Sequence, residues 1–229
     1  MALDIPELRS LSGALRHFAR YPSPRILAAQ VLLAATVRLS YPEWSGGDLW
    51  ILILIVLYWP LQEWFIHIHL LHLRPFNIGK RRIDPIVARM HRYHHRNPWE
   101  IPTVFLHWTV PAALFPVQLL FWFWVTPTAA LAWSGILWFS AAALFYEWAH
   151  YFTHTPYQPS SRYFSAVQRN HRNHHFHNER RWHSFTAPIL DEWLGTGGHP
   201  SQVPRSKTCM TLGIEEDVGT DTRPAFPDA

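Results

Sequence analysis

The sequence predicts an all-α integral membrane protein with about four transmembrane helices and a cytoplasmic, histidine-rich helical cap. Long apolar runs rich in Trp and Phe alternate with polar segments along 229 residues. Lys and Arg are concentrated in some of the connections and missing from others, and ten of the 16 histidines fall in regular spacings at the ends of two runs or in the segments that follow them. The length suits one domain or one membrane unit. The only cysteine, Cys209, excludes an internal disulfide and a Cys-rich metal site.

Residues 1–25 are predicted to form an amphipathic N-terminal segment that lies on the membrane surface. Apolar side chains recur there at helical spacing, opposite arginines. The apolar positions are Leu8, Leu11, Leu15 and Phe18, and the arginines are Arg9, Arg16 and Arg20. With a net charge of +4 and no nucleic-acid-binding motif, the basic balance favours an anionic membrane surface over nucleic acid as the partner.

Residues 26–199 are predicted to form the membrane-embedded domain, because four apolar stretches approach the roughly 20 residues that cross a bilayer. These stretches are 26–41, 49–66, 103–125 and 128–149. Arg38 interrupts the first stretch and is expected to reach the interface as a snorkelling side chain. Pro60 is expected to kink the second.

The distribution of Lys and Arg predicts the topology. The connections at 42–48 and 125–128 carry neither residue, whereas the N-terminal segment, the loop between the second and third stretches and the segment after the fourth are rich in arginine. Because Lys and Arg mark cytoplasmic loops, both termini and the long loop are placed in the cytoplasm. Residues 200–229, rich in Pro, Thr, Gly and acidic residues, are predicted to be a disordered tail.

This topology brings histidines from four distant parts of the chain to one side of the membrane. The candidate metal ligands are His67, His72, His91, His94, His95, His150, His154, His171, His174 and His175. Both His-x-x-His-His motifs place their rings on one face of a helix. His67 and His72 would lie about 140° apart on an α-helix, so they are expected to serve different metals. The number of imidazoles favours two ions with about five ligands each and an open position; Zn, Cu, Fe and Ni all fit imidazole.

The alternative for the histidines is a solvated basic surface. One His-x-x-His-His motif alone fits that alternative equally well, but two copies and two further pairs at the ends of apolar stretches argue against it. Three other histidines could line the site: His107, His177 and His183.

Two glutamates precede histidines at helical spacing, Glu63 four residues before His67 and Glu147 three residues before His150. A carboxylate at such a position can accept the second N–H of a ligand and fix its tautomer. Direct metal ligation and ordinary helix-end polarity are the alternatives.

The four histidine motifs resemble those of the fatty acid hydroxylase/sterol desaturase superfamily of membrane di-iron oxygenases, over roughly residues 54–196. The similarity is closest to the fatty acid 2-hydroxylase branch, in the segments EWFIHIHLLH, EWAHYFTH and NHHFHNERRWHSFTAPILDEWLGT. The sequence departs from the family in having Ser184 where glycine is usual, with His183 beside it.

The resemblance implies an O2-dependent oxidoreductase that hydroxylates a C–H bond of a fatty acyl or sterol-like lipid taken from the bilayer, with a desaturase on the same scaffold as the alternative. It implies two iron ions held by the ten histidines, with Glu63 and Glu147 tuning them and Asp191 bracing the last motif. The two electrons are expected from a separate ferredoxin or cytochrome b5-like donor with its reductase, because the chain has no Gly-x-Gly-x-x-Gly motif and no Cys cluster.

Two other functions are compatible with a histidine-rich membrane protein. A metal-transport or metal-storage protein would need ionisable residues along the membrane spans, and these spans hold few. A zinc-dependent membrane hydrolase would more typically carry His-Glu-x-x-His, which is absent from the sequence.

Overall fold

The computed structural model describes residues 5–214 and shows long helices joined at one end to a cap of shorter ones. The α-helices are α1 (Leu11–Phe18), α2 (Pro22–Leu39), α3 (Gly46–Ile66), α4 (Ile86–Arg96), α5 (Thr109–Val125), α6 (Ala129–Thr153), α7 (Arg162–Phe176) and α8 (Pro188–Trp193). Turns of 3-10 helix cover Pro6–Arg9 and Ile101–Val104, and a π-helical turn covers His67–Leu71. Strands β1 (Phe76–Ile78) and β2 (Arg81–Ile83) form an antiparallel hairpin.

Helix α6 is the centre of the bundle, because α2, α3 and α5 all pack against it. Within residues 5–214, three helical segments are long and apolar enough to cross a membrane: Gly46–Leu71, Ile101–Val125 and Ala129–Thr153. The stretch 26–41 is not among them, since the 18 residues of α2 include Arg25, Gln30 and Arg38. The molecule is therefore a mostly helical protein with membrane-capable helices.

Helix α2 nevertheless runs along much of α6. Near its start, the Ser23 hydroxyl donates to Glu147 at 2.7 Å, and near its end Arg38 donates to Ser134 at 2.8 Å. Ser134 and Glu147 are 13 residues apart in α6, about 20 Å at the helical rise. The bundle therefore has four long helices, although one of them is less apolar than the others.

Arg38 does not snorkel as predicted. Its side chain is only 1% exposed and forms an ion pair of 2.8 Å with Asp48 at the start of α3. It also donates to the carbonyl groups of Tyr41 and Glu43. A buried guanidinium needs such partners, because an unpaired charge in this environment is very costly.

The predicted apolar stripe of the N-terminal segment is divided in the structure. Leu8 and Phe18 are buried, and Phe18 packs against Trp148 of α6 with 5.4 Å between ring centroids. Leu11 and Leu15 stay 47% and 46% exposed, so they are the two that remain available to a membrane surface. Residues 1–4 of this segment lie outside the described part.

The prediction of a disordered tail from residue 200 is wrong for residues 200–214. This stretch folds back on the cap: the Ser206 N–H donates to the His177 carbonyl at 2.8 Å, and the Thr208 hydroxyl donates to Glu179 at 2.6 Å. Cys209 and Leu212 are buried. Composition alone misses these backbone and side-chain anchors, which supply the ordering energy. The predicted tail at 215–229 lies outside the described residues.

Candidate metal centre

All ten candidate histidines meet at one end of the bundle, in two groups of five. The first histidine cluster consists of His67, His72, His91, His95 and His174. The second histidine cluster consists of His94, His150, His154, His171 and His175. In each cluster one ligand atom from every residue lies within 4.8 Å of the others. Nine of the ten residues are buried, and His72 is half-buried.

Each helix with a His-x-x-His-His motif contributes to both clusters. In α4, His91 and His95 belong to the first histidine cluster, and His94 belongs to the second. In α7 the pattern is reversed: His174 belongs to the first cluster, and the two other histidines of the motif belong to the second. In each motif the histidines at positions i and i+4 therefore face one cluster, and the histidine at i+3 faces the other. Helices α4 and α7 thus connect the two clusters.

His67 and His72 share a cluster, contrary to the expectation that they would serve different metals. The His67–Leu71 turn is π-helical, and the His72 N–H donates to the His67 carbonyl at 3.1 Å. This i to i+5 bond widens the turn. The two rings, far apart on an α-helix, come to 4.9 Å between centroids.

The spacing of the ring nitrogens suits metal ligands. Facing Nε2 atoms lie 2.8–3.3 Å apart. Octahedral ligands at about 2.1 Å from an ion would be about 3.0 Å apart. The Nε2 atom of His72 is buried without a hydrogen-bond partner among residues 5–214, and a metal ion would satisfy it.

The electrostatics also suit metal binding, because the cap keeps its histidines neutral. The pKa is lowered from the ordinary value for the cluster members outside the long helical segments, chiefly by burial and in most of them also by neighbouring histidines. These residues are His72, His91, His94, His95, His154, His171, His174 and His175. Since a metal binds the deprotonated imidazole, lone pairs are available at neutral pH.

Backbone carbonyl groups fix three rings of the first histidine cluster. A carbonyl only accepts hydrogen bonds, so each Nδ1 must carry the proton and each Nε2 must offer its lone pair. The pairs are His67 with the His183 carbonyl at 2.7 Å, His174 with the Arg181 carbonyl at 2.7 Å and His95 with the Cys209 carbonyl at 2.9 Å. In the second histidine cluster, Nδ1 of His94 lies 3.2 Å from the Thr103 hydroxyl.

Asp191 holds the loop that supplies two of these carbonyl groups. Its carboxylate accepts from the backbone N–H groups of His183 at 2.8 Å and Ser184 at 3.0 Å, and from the Thr196 hydroxyl at 2.7 Å. Burial raises the pKa of Asp191, and these hydrogen bonds oppose the rise. Trp182, inside the loop, has a φ of 56°. A bulky residue in this region stores about 1–3 kcal/mol of strain, so the loop is held in place by its surroundings.

Glu63 fixes the same loop instead of orienting His67. Its Oε1 atom accepts hydrogen bonds from the Ser184 hydroxyl, the Phe185 and Thr186 N–H groups and the Thr186 hydroxyl, at 2.7–3.0 Å. Since Nδ1 of His67 bonds to a carbonyl, the predicted contact between Glu63 and that ring is not formed.

Glu147 likewise connects helices. It accepts from the Ser23 hydroxyl at 2.7 Å and from the Leu106 N–H at 3.1 Å, and its other carboxylate oxygen has no hydrogen-bond partner among residues 5–214. The predicted contact between Glu147 and His150 is therefore not formed. Both glutamates support the cap from outside the clusters.

The three additional histidines have different surroundings. The His183 ring is buried against the first histidine cluster, 5.2 Å from the His174 ring, but it belongs to neither group of five. His107 pairs with Thr109, and His177 pairs with the Val203 carbonyl. Only His183 lies against the clusters.

Sequence reasoning missed the carbonyl groups that orient the rings. Every residue has a carbonyl, so those of Arg181, His183 and Cys209 carry no signal in the sequence. The Thr103 hydroxyl could have been considered, since it lies near the His-x-x-His-His motif of α4, but its spacing of nine residues from His94 follows no helical pattern.

Two apolar cavities lead to the clusters from inside the bundle. The first, of about 370 Å³, reaches His91, His94 and His150. The second, of about 270 Å³, extends deeper between α2, α3, α5 and α6. The cavities share lining residues, namely Leu71, Val87, Leu106, Val110 and Tyr146. They are therefore adjacent parts of one apolar route that ends at the histidines.

Comparisons with known proteins agree with this architecture. The model of the fatty acid hydroxylase family matches residues 52–196, which is more than half of the chain. The solved structure of full-length Scs7p, in which only the hydroxylase domain is visible, is similar with a TM-score of 0.65 and 21% sequence identity. The similarity covers 81% of this chain and 68% of that chain, and at this identity it shows a shared fold. No curated protein matches the chain. By its sequence and its membrane-capable helical architecture, the chain belongs to the fatty acid hydroxylase family and is an oxidoreductase.

Proposed function

We propose that the protein is a membrane-bound di-iron oxygenase that hydroxylates an unactivated C–H bond of a fatty acyl or sterol-like lipid, using O2 and two externally supplied electrons. The observation that carries this proposal is the position of the two five-histidine clusters at the end of an apolar route through the bundle. A lipid chain can enter such a route, and its C–H bonds would lie next to the clusters.

The ten histidines are the proposed ligands of two iron ions, one in each cluster. Imidazole suits iron, and five ligands leave one position open on an ion that takes six. Bound iron would supply the activation of O2 and the acceptance of electrons. The all-nitrogen donor set and the neutral, buried rings support this assignment.

The protein's own groups would prepare the site before any reaction. The carbonyl groups of Arg181, His183 and Cys209 hold three rings in the tautomer that binds a metal. Glu63 and Asp191 keep the loop that carries two of these carbonyl groups in position. The apolar lining would exclude water and align the hydrocarbon chain of the lipid. The substrate would then lie where His91, His94 and His150 line the cavity.

We also propose that α2 crosses the membrane as a fourth helix and that both termini and the histidine clusters face the cytoplasm. The length of α2 along α6 supports the crossing, and the placement of Lys and Arg supports the orientation.

The electron donor would be a ferredoxin or a cytochrome b5-like protein with its reductase. Basic side chains are exposed around the cap, in and beside the hairpin, on α4 and on α7: Arg74, Lys80, Arg81, Arg82, Arg89 and Arg169. Such a surface attracts an acidic partner and accelerates its docking.

The test is co-expression with a ferredoxin or cytochrome b5 reductase system, followed by mass spectrometry of total lipids. A hydroxylase gives a product with one added oxygen atom, and a desaturase gives a product that has lost two hydrogen atoms. His94→Ala and His174→Ala, one from each cluster, should abolish the product while the protein stays in the membrane. His199→Ala, in an exposed residue outside both clusters, should retain it. Turnover without a partner, or product formation by either cluster variant, would contradict the proposal.

A further inference from the structure

Three polar side chains line the deep end of the second cavity, away from the histidines. They are Gln30 of α2, Gln118 of α5 and Ser140 of α6, here called the polar trio. All three are at most 9% exposed. The surrounding lining is largely apolar and includes Leu27, Leu114, Phe139 and Ala143.

The polar trio is connected by weak internal hydrogen bonds. The Gln118 amide lies 3.2 Å from the Ser140 hydroxyl and 3.4 Å from the Gln30 side-chain oxygen, longer than the usual 2.9–3.0 Å. Gln30 also donates to the Pro111 carbonyl at 2.9 Å. Each glutamine amide has two N–H groups and an oxygen with two lone pairs. A ligand hydroxyl or carbonyl could therefore replace the long internal bonds with shorter ones.

The position of the polar trio sets a distance from the clusters. Ser140 and His150 both belong to α6 and are ten residues apart, which is about 15 Å along the helix. Tyr146 lies between them and lines both cavities. An extended hydrocarbon chain with bonds of about 1.5 Å advances about 1.3 Å per carbon, so about twelve carbons span this distance.

The chemistry of the polar trio also excludes a charged group at the deep end of the cavity. Glu63 is the one charged side chain of the described residues that lines the second cavity, and its carboxylate is bonded to the loop at the cap end. No charge at the deep end would pair with a carboxylate or an ammonium group, and burying either without a partner is costly.

We propose that the polar trio recognises an uncharged hydroxyl or carbonyl group at the far end of an elongated lipid substrate, about a dozen carbons from the reacting carbon. This inference rests on the proposed function for its identification of the reacting end. It narrows the substrate class to lipids that carry an uncharged polar group about a dozen carbons from the reacting carbon.

Polar residues inside a membrane bundle also join helices without binding any ligand. The two roles differ in a measurable way. If the polar trio only joins helices, substitutions within it will lower stability and leave the choice between ligands unchanged.

Binding can be measured by calorimetry on the purified, metal-loaded protein in lipid nanodiscs, without turnover. The probes are straight-chain fatty acids of about ten to eighteen carbons, each with either a methyl or a hydroxyl group at the far end. The hydroxylated form should bind about three- to tenfold more tightly at the best length, as expected for one net hydrogen bond. Gln118→Leu and Ser140→Ala should remove that preference. Gln62→Leu, the same change in the same cavity outside the polar trio, should keep it.

The outcomes separate the two proposals. Equal affinity for both probe forms at every length, or a preference that survives Gln118→Leu and Ser140→Ala, would overturn the recognition site. Unchanged metal content in each variant would show that the protein is folded. A preference for the terminal hydroxyl without lipid turnover would support the recognition site and contradict the oxygenase. Lipid turnover without this preference would support the oxygenase and contradict the recognition site.

Discussion

Replacing Asp191 with Asn should weaken the first histidine cluster and spare the second. The carboxylate accepts hydrogen bonds on both oxygens, from donors only: His183 and Thr196 on Oδ1 and Ser184 on Oδ2. An amide offers a single acceptor oxygen. In Asp191→Asn, therefore, at least one buried N–H or O–H group faces an NH2 group and loses its partner, at a cost of about 1–3 kcal/mol.

The lost hydrogen bond should also weaken metal binding, because Asp191 holds the loop that carries Arg181 and His183. Displacing it would disturb the carbonyl groups that hold His67 and His174. Loss of such an outer partner lowers metal affinity about 10- to 100-fold, or about 1.4–2.7 kcal/mol. The second histidine cluster depends on another segment, through Thr103. Thr103→Val is therefore the matched variant for the second cluster.

The assay is metal content by mass spectrometry during a titration with chelator. Asp191→Asn and Thr103→Val should each release one ion at lower chelator concentration and retain the other. The double variant should release both early, because the two changes act on different clusters. Early loss of only one ion from the double variant, or simultaneous loss of both ions from Asp191→Asn, would show that Asp191 and Thr103 do not support separate clusters.

Three further predictions concern stability and the folded C-terminal stretch. The metal-free protein should lose stability as the pH falls below about 6.5. Because the pKa values of His91, His94 and His171 are lowered in the folded state, the unfolded chain binds more protons in that pH range. Urea titrations at several pH values measure this, and a free energy of unfolding that does not change with pH would contradict it. Deleting residues 205–229 should weaken one metal site by removing the Cys209 carbonyl from His95, whereas Cys209→Ser should leave metal affinity unchanged, as chelator titration can check. Asp48→Ala should lower the free energy of unfolding by about 3–5 kcal/mol, because it leaves the buried Arg38 without its ion-pair partner. The double variant with Arg38→Met should recover much of this stability in thermal unfolding. An equal loss of stability in the single and double variants would contradict the buried ion pair.

The sequence predicts the apolar helices and the convergence of the histidines, because each depends on one strong pattern. The long apolar runs predict α3, α5 and α6, and the order of the spans brings the four histidine motifs to the same end of the bundle. Helix α2 is harder to predict, because Arg38 interrupts its apolar sequence. In the structure Asp48 and Ser134 accept hydrogen bonds from this side chain. That pairing joins residues far apart in the chain.

The division of the histidines into clusters is beyond the sequence for a geometric reason. Ideal α-helical angles separate His67 from His72, but a π-turn joins them. The same angles place His91, His94 and His95 on one face, yet two rings turn to one cluster and the third turns to the other. The carbonyl groups that orient the rings depend on the path of the loop that carries Arg181 and His183 and on the path of residues 200–214. The sequence contains no pattern that predicts either path.

Anomalous X-ray scattering at the iron edge, from crystals of the protein purified with its metal, tests the proposed di-iron centre most directly. We expect two iron peaks per chain, one enclosed by the ring nitrogens of each five-histidine cluster. A single peak shared by both clusters, or metal bound away from these rings, would contradict it.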